Sequence, residues 1–135
     1  MVRQVEEFGF GITLKRDFDV VLADVAKALK GEGFGVLTEI DVKATLKKKI
    51  DVDFKRYQIL GACNPPLAYR ALTTHPSIGL MLPCNVTVSE NDEGGTDVAF
   101  LDPILMMSVA GNPNLEPVAQ EARDRLWRVA EALEE

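Results

Sequence analysis

The sequence has little of the residue types on which most enzyme chemistry depends. Two cysteines and one histidine occur in 135 residues. Two cysteines build no disulfide framework. One histidine leaves no choice of general base, and Ser77, Ser89 and Ser108 lack a Gly-x-Ser-x-Gly setting. No Walker loop or dinucleotide fingerprint occurs, because Gly9-Phe10-Gly11 opens a strand pattern and not a helix. Long apolar runs are missing too. The most apolar window, Ile78 to Val88, is interrupted by Pro83 and Asn85 and falls far short of the ~20 residues that span a bilayer. Glu6 and Glu7 stand where a secretory signal needs uncharged apolar residues. The expected setting is a reducing cytoplasm, with no membrane partner. Positive charge is also short: 15 Lys and Arg face 21 Asp and Glu, a net charge of −6. That balance argues against a nucleic-acid partner, since neutralising phosphates takes clustered Lys and Arg.

What is present is enough for one packed domain. Apolar residues make up 47% of the chain, too many for disorder. At ~100–150 residues per domain, residues 1–135 form a single unit. Phe8, Phe10, Ile12 and Leu14 alternate with small or polar residues, the period of a strand with one buried face. Gly9 and Gly11 leave its other face bare, open to close approach by another surface. Asp17 or Asp19 then caps a helix with Val21, Leu22, Val25, Ala26 and Leu29 inward, stopped by Gly31 and Gly33. Phe34 to Ile40 reads as a strand. Asp41 caps a second helix, with Val42, Leu46 and Ile50 as inner positions. Tyr57 to Cys63 is a third strand, and Leu67 to Thr74 a short helix. Leu80 to Glu90, broken at Pro83, pairs as a hairpin with Thr96 to Leu101. Asp102 to Asn114 reads as irregular, and Asn114 caps a final long helix. The fold class is therefore α+β, in the order β-α-β-α-β-α-β-β-α. It predicts a single antiparallel or mixed sheet of about five strands with helices mainly on one face.

Charge is unevenly distributed. Residues 41–56 hold six basic and three acidic side chains, for a net +3. Lys47, Lys48 and Lys49 fall in the last turn of the second helix, where the helix dipole favours cations, so a solvated helix end outweighs a phosphate dock. Cys63, His75 and Cys84 suggest a metal site on paper, with only Asp102 as a fourth ligand. Gaps of 12 and nine residues are not the closely paired spacing of structural zinc. No metal or cofactor is expected. Cys84 is in phase with Val86 and Val88 and should face the core; Cys63, in phase with Tyr57 and Ile59, suggests the buried side too, although its place at the close of a strand leaves exposure open. Both then behave as small buried apolar residues. Met106 and Met107, with Leu105 and Val109, form the most exposed-looking apolar cluster, as core or as a subunit contact.

Three stretches occur together in order: Glu39 through Asp41-Val42 to Lys49, Leu60-Gly61-Ala62-Cys63-Asn64-Pro65-Pro66, and Leu82-Pro83-Cys84-Asn85-Val86. On them the chain resembles the small prokaryotic proteins of domain-of-unknown-function 302, from about Gly9 to Leu133. The resemblance implies a compact α+β domain similar to TATA-binding-protein-like sheets, and no established activity. Another branch of that family has Asp-His where this chain has Asp41-Val42. It shares the pairs matched here by Asn64-Pro65, Leu82-Pro83 and Asp102-Pro103. The missing imidazole weakens any acid–base role. Asp41, Asn64, Pro65, Cys84, Asn85 and Asp102, all at strand ends or starts, are the candidate lining of one cleft. The functional expectation is a small soluble homodimer binding a small polar ligand there, the alternative being a thiol- or metal-dependent enzyme using Cys63 and Cys84.

Overall fold

The structure is a computed structural model that describes residues 1–134. Alternation decides the sheet. In β2 (Gly9–Leu14) Phe10, Ile12 and Leu14 are buried, in β6 (Thr96–Leu101) Thr96, Val98 and Phe100, and in β5 (Cys84–Glu90) Cys84, Val86 and Val88. In β4 (Tyr57–Cys63) the buried pair is Leu60 and Ala62. Registry places Phe10 beside Phe100, Phe100 beside Val86, and Val86 beside Leu60, so these side chains share one face. Two further strands, β1 (Arg3–Val5) and β3 (Gly35–Asp41), complete a six-stranded, wholly antiparallel sheet in the order β1-β2-β6-β5-β4-β3.

Helices cover that apolar face. Asp17 accepts a hydrogen bond from the Asp19 amide and starts α1 (Phe18–Gly31), which buries Val21, Val25 and Leu29. The chain leaves it through Gly33 at φ +84°, where a side chain would be strained. The longest helix, α5 (Glu116–Glu134), buries Leu126, Val129 and Leu133 in the same core. Phe10 stacks on Phe100 at 5.5 Å between centroids and tilts against Trp127 of α5 at 5.0 Å, joining sheet and helix. Two short helices close one end: α3 (Pro65–Thr74) and α4 (Pro103–Ser108). The fourth connection, α2 (Val42–Ile50), has no buried residue. Among the described residues no helix is long and apolar enough to cross a membrane.

Several elements differ from the sequence reading, each for an identifiable reason. The sixth strand is β1, three residues long and too short to show a period. Pro76 to Met81 forms a 3-10 turn, and the strand starts only at Cys84, past the cis Leu82–Pro83 bond. Asp102 to Asn114 is not all irregular. Pro103 occupies the first turn of α4, where its missing N–H costs nothing. Before α5 it is Asn112, not Asn114, that receives a backbone bond, from the Asn114 amide. The expected inner positions of α2 are Val42 and Leu46, half-buried, and Ile50, which is exposed. Met106 and Met107 are core residues, and only Leu105 and Val109 of that cluster are exposed.

The glycines of β2 serve the sheet itself and not an incoming surface. A Cβ on Gly9 would lie 1.8 Å from the carbonyl oxygen of Phe100, and one on Gly11 2.4 Å from that of Val98. Only backbone without a side chain fits against β6 at this distance. Gly9→Ala should therefore destabilise the fold by ~2–3 kcal/mol or more, since backbone cannot yield as a side chain does. Gly35→Ala, whose Cβ meets nothing within 4 Å, should leave stability within about 1 kcal/mol of the parent. Urea unfolding of the two variants checks this, and equal midpoints would refute it.

Candidate functional site

The end of β4 and the start of β5 lie side by side, with Ala62 opposite Cys84. Immediately beyond, Pro65 and Pro66 restrict Asn64 to an extended conformation and start α3 without loss of a needed donor. Asn64 is buried. Its Oδ1 accepts from the Leu67 amide at 3.3 Å, and its Nδ2 donates to the Glu32 carbonyl at 3.4 Å. One side chain thus fixes the start of α3 and ties it to the loop after α1. Gly33 belongs to the same junction, for a Cβ there would reach Asn64 Nδ2 at 3.0 Å.

The junction frames a cavity of about 340 Å³. Its walls include Phe34, Leu67 and Leu72, with Leu82, Met107 and Ala122 on the other sides. Cys63, Asn64 and Cys84 also reach it, and among the described residues no charged side chain does. Cys84 faces the helices as alternation requires and is 6% exposed. Cys63 does not. Its neighbours Leu60 and Ala62 take the helix-covered face, so Cys63, with Tyr57 and Ile59, belongs to the opposite one and is half-buried. Because the cavity lies at the sheet's end, both thiols border it. Burial pushes the Cys84 thiol up to about 11, with a smaller repulsive contribution from Cys63. Burial alone raises Cys63. Without a basic neighbour neither thiolate is favoured, so the pair is poorly suited to nucleophilic work.

Of the six residues expected in one cleft, Asn64 and Cys84 come together here. Pro65 is adjacent but exposed, in the first turn of α3. Asn85 follows Cys84 on the uncovered sheet face and is exposed. Asp41 lies toward the far end of the β3–β4 pair, opposite Gln58, and accepts from the Ala44 amide at 2.9 Å to cap α2. Asp102 caps α4, pairs with Arg123 at 3.2 Å, and lines a separate cleft with Gly9 and Trp127. His75 is also elsewhere, its Nδ1 3.2 Å from Asn112 Nδ2. Among the described residues no group of three His, Cys, Asp or Glu is gathered for a metal ion. The sequence reading missed Leu67, Leu72, Leu82 and Ala122. Side chains lining an apolar cavity carry the same periodicity as those filling a core. Only the Met106-Met107 pair carried a signal, and Met107 is the one that borders the cavity.

The sequence model described as "Domain of unknown function DUF302" matches residues 10–133. No curated protein matches the chain. The crystal structure of an uncharacterized conserved protein DUF302 from Bacillus stearothermophilus is similar, with a TM-score of 0.85 and 28% identity. The likeness covers 92% of this chain and 96% of that one.

Asn64→Ala should cost ~1–2 kcal/mol in a thermal or urea melt, because it removes a helix cap and leaves the Leu67 amide buried without its acceptor. A melt identical to the parent's would show the cap to be dispensable. For the thiols, native alkylation should modify Cys63 first. Labelling of Cys84 should become fast only as pH rises toward its raised value of about 11, since the thiolate is the reactive form. Mass spectrometry of singly labelled protein reads the order, and faster labelling of Cys84 at neutral pH would refute it.

Proposed function

We propose that this chain, which belongs to the DUF302 family, is a non-enzymatic homodimeric module that binds a small apolar ligand in the cavity between Cys63, Asn64 and Cys84. The observation that carries the reading is the cavity's lining. Its walls are apolar, it has no charged side chain, and its volume of about 340 Å³ falls within the ~300–1,000 Å³ of small-molecule sites. Asn64 is its polar exception, and both amide ends of that side chain are already engaged. The polar ligand expected from Asp41, Asn85 and Asp102 loses its support with their dispersal. An apolar molecule gains by leaving water without asking for hydrogen bonds that the walls lack. A thiol enzyme is less well supported, because both thiols are raised by burial. Two free cysteines suit a reducing cytoplasm.

The dimer rests on the β3–α2 arm. Every residue of β3 except Val36 is exposed, and α2 buries nothing. Ile40, Ile50, Val52 and Phe54 stand exposed along it, apolar side chains that a second copy would take out of water. The arm segment 41–56 carries +3, whereas the rest of the chain sets nine basic against 18 acidic residues. A second copy therefore offers an acidic body to a basic, apolar arm, and a two-fold arrangement satisfies both contacts at once. A sheet backed by helices on one face also suits the TATA-binding-protein-like reading of the fold.

Two measurements test these readings. Nile red, a neutral environment-sensitive dye, should bind at about one per chain. Ala68→Phe, which adds a ring from the half-buried wall of α3 into the cavity, should abolish binding with an unchanged melt. Undiminished binding would refute the site. Sedimentation should show a dimer at micromolar concentration, and Phe54→Glu should shift it to monomer. A monomeric parent would refute the assembly.

A further inference from the structure

A second cavity, of about 390 Å³, also borders α4. Ile104 of α4, Leu115 and Ala119 supply its apolar walls, and Ser108, Asn112, Glu116 and Gln120 its polar ones. Among the described residues a single side chain, Met107, borders both spaces. Met107 is 5% exposed, a buried side chain in the wall of both. The helix beneath is cut back on both sides of this point. Ala119 lines the second cavity and Ala122 the first, three positions apart and therefore on one face of α5. Both of these helix positions are small, and the one side chain common to the two spaces is unbranched, with three rotatable bonds.

We propose that Met107 is the partition that sets the length of ligand the apolar cavity accepts, and that the full space fits an aliphatic chain ending in a neutral or cationic head. This inference rests on the apolar-ligand reading above. The head-group class follows from the walls of the second cavity. They carry one carboxylate, Glu116, and the amides of Asn112 and Gln120, with no basic side chain to meet an anion. Asn112 Nδ2 already lies against His75 Nδ1, Gln120 Nε2 already donates to Asp124 and the Ser108 hydroxyl to the Leu105 carbonyl, which leaves the Gln120 and Ser108 oxygens and the Glu116 carboxylate as acceptors for a hydroxyl or an ammonium group. A fatty carboxylate would bring a second negative charge beside Glu116.

The test uses 1-alkanols of increasing length displacing Nile red from the full chain. In the parent, affinity should rise about fourfold per added methylene while the chain fits, then stop rising. In Met107→Ala the stopping length should move out by at least two carbons, so that the longer alcohols bind roughly tenfold or more tighter than to the parent. Met107→Val, a smaller truncation that guards against misfolding, should move it less but in the same direction. Adding Ala119→Leu to Met107→Ala should fill the second space and return the parent's limit. With Met107→Ala, dodecanol should bind more tightly than dodecanoate at neutral pH. An unchanged limit in both Met107 variants, with short alcohols still bound, would overturn the partition and leave the first cavity standing. Failure of every alcohol to displace the dye from the parent would overturn the cavity reading itself. A gain that persists with Ala119→Leu would show the second space is not the receiver, and equal binding of dodecanoate would refute the head-group assignment.

Discussion

The structure depends on burying one face of one sheet. Phe10, Phe100, Val86 and Leu60 form a row across four adjacent strands, and α1 and α5 pack over the face they share. Fully burying each such side chain contributes ~1.5–3 kcal/mol, so the row dominates the choice of register. A slip by one residue would turn every member of it to water. Gly9 and Gly11 are part of the same constraint, because in this pairing a Cβ at either position would run into a carbonyl oxygen of β6. What α1 and α5 leave over is the sheet's end at Cys63 and Cys84, and there the chain uses only short pieces: α3, a 3-10 turn and α4. Short elements with alanines facing them do not fill the space. The cavity is a consequence of how the main core is covered.

That origin explains the behaviour of the two thiols. A cysteine at such a sheet end is surrounded by the side chains the helices bring, which here are apolar. Desolvation then works against ionisation, and among the described residues no charged side chain lines the cavity to oppose it. The same walls that make the site hospitable to an apolar molecule make it a poor place for a thiolate. The two properties are one fact about local polarity.

The architecture was largely legible because the residues that set it are periodic. Phe10-Ile12-Leu14 and Val98-Phe100 announce strands, and Val21-Val25-Leu29 a helix, whatever surrounds them. Two places were harder to read because the role of the residue depends on its position. Proline reads as a breaker, yet Pro103 begins α4. Cys63 lies in phase with Tyr57 and Ile59, apolar enough to suggest burial, yet Leu60 and Ala62 occupy the covered face. A strand with apolar residues on both faces leaves its phase to be decided by the sheet. The site was less legible still. Leu67, Leu72 and Leu82 line a void that exists only because α3 and the following turn are placed around it, and no local pattern distinguishes a wall from a core.

The polar motifs that the resemblance brought forward have an explanation of a different kind. Asn64-Pro65 and Asp102-Pro103, and with them Asn112-Pro113, which the resemblance did not mark, share one geometry: an Asn or Asp in extended conformation whose side-chain oxygen accepts a backbone N–H two or three residues on, followed by proline in the first turn. The side chain satisfies an amide that the helix cannot, and the proline occupies a place where its own missing amide is no loss. Asp41 does the same for α2 without the proline. Residues that recur beside proline at strand ends therefore start helices here, and starting helices accounts for their chemistry without a ligand. Asn64 alone does both. Its cap fixes α3, and its position at the mouth of the apolar cavity makes that cap the hinge on which the shape of the cavity depends.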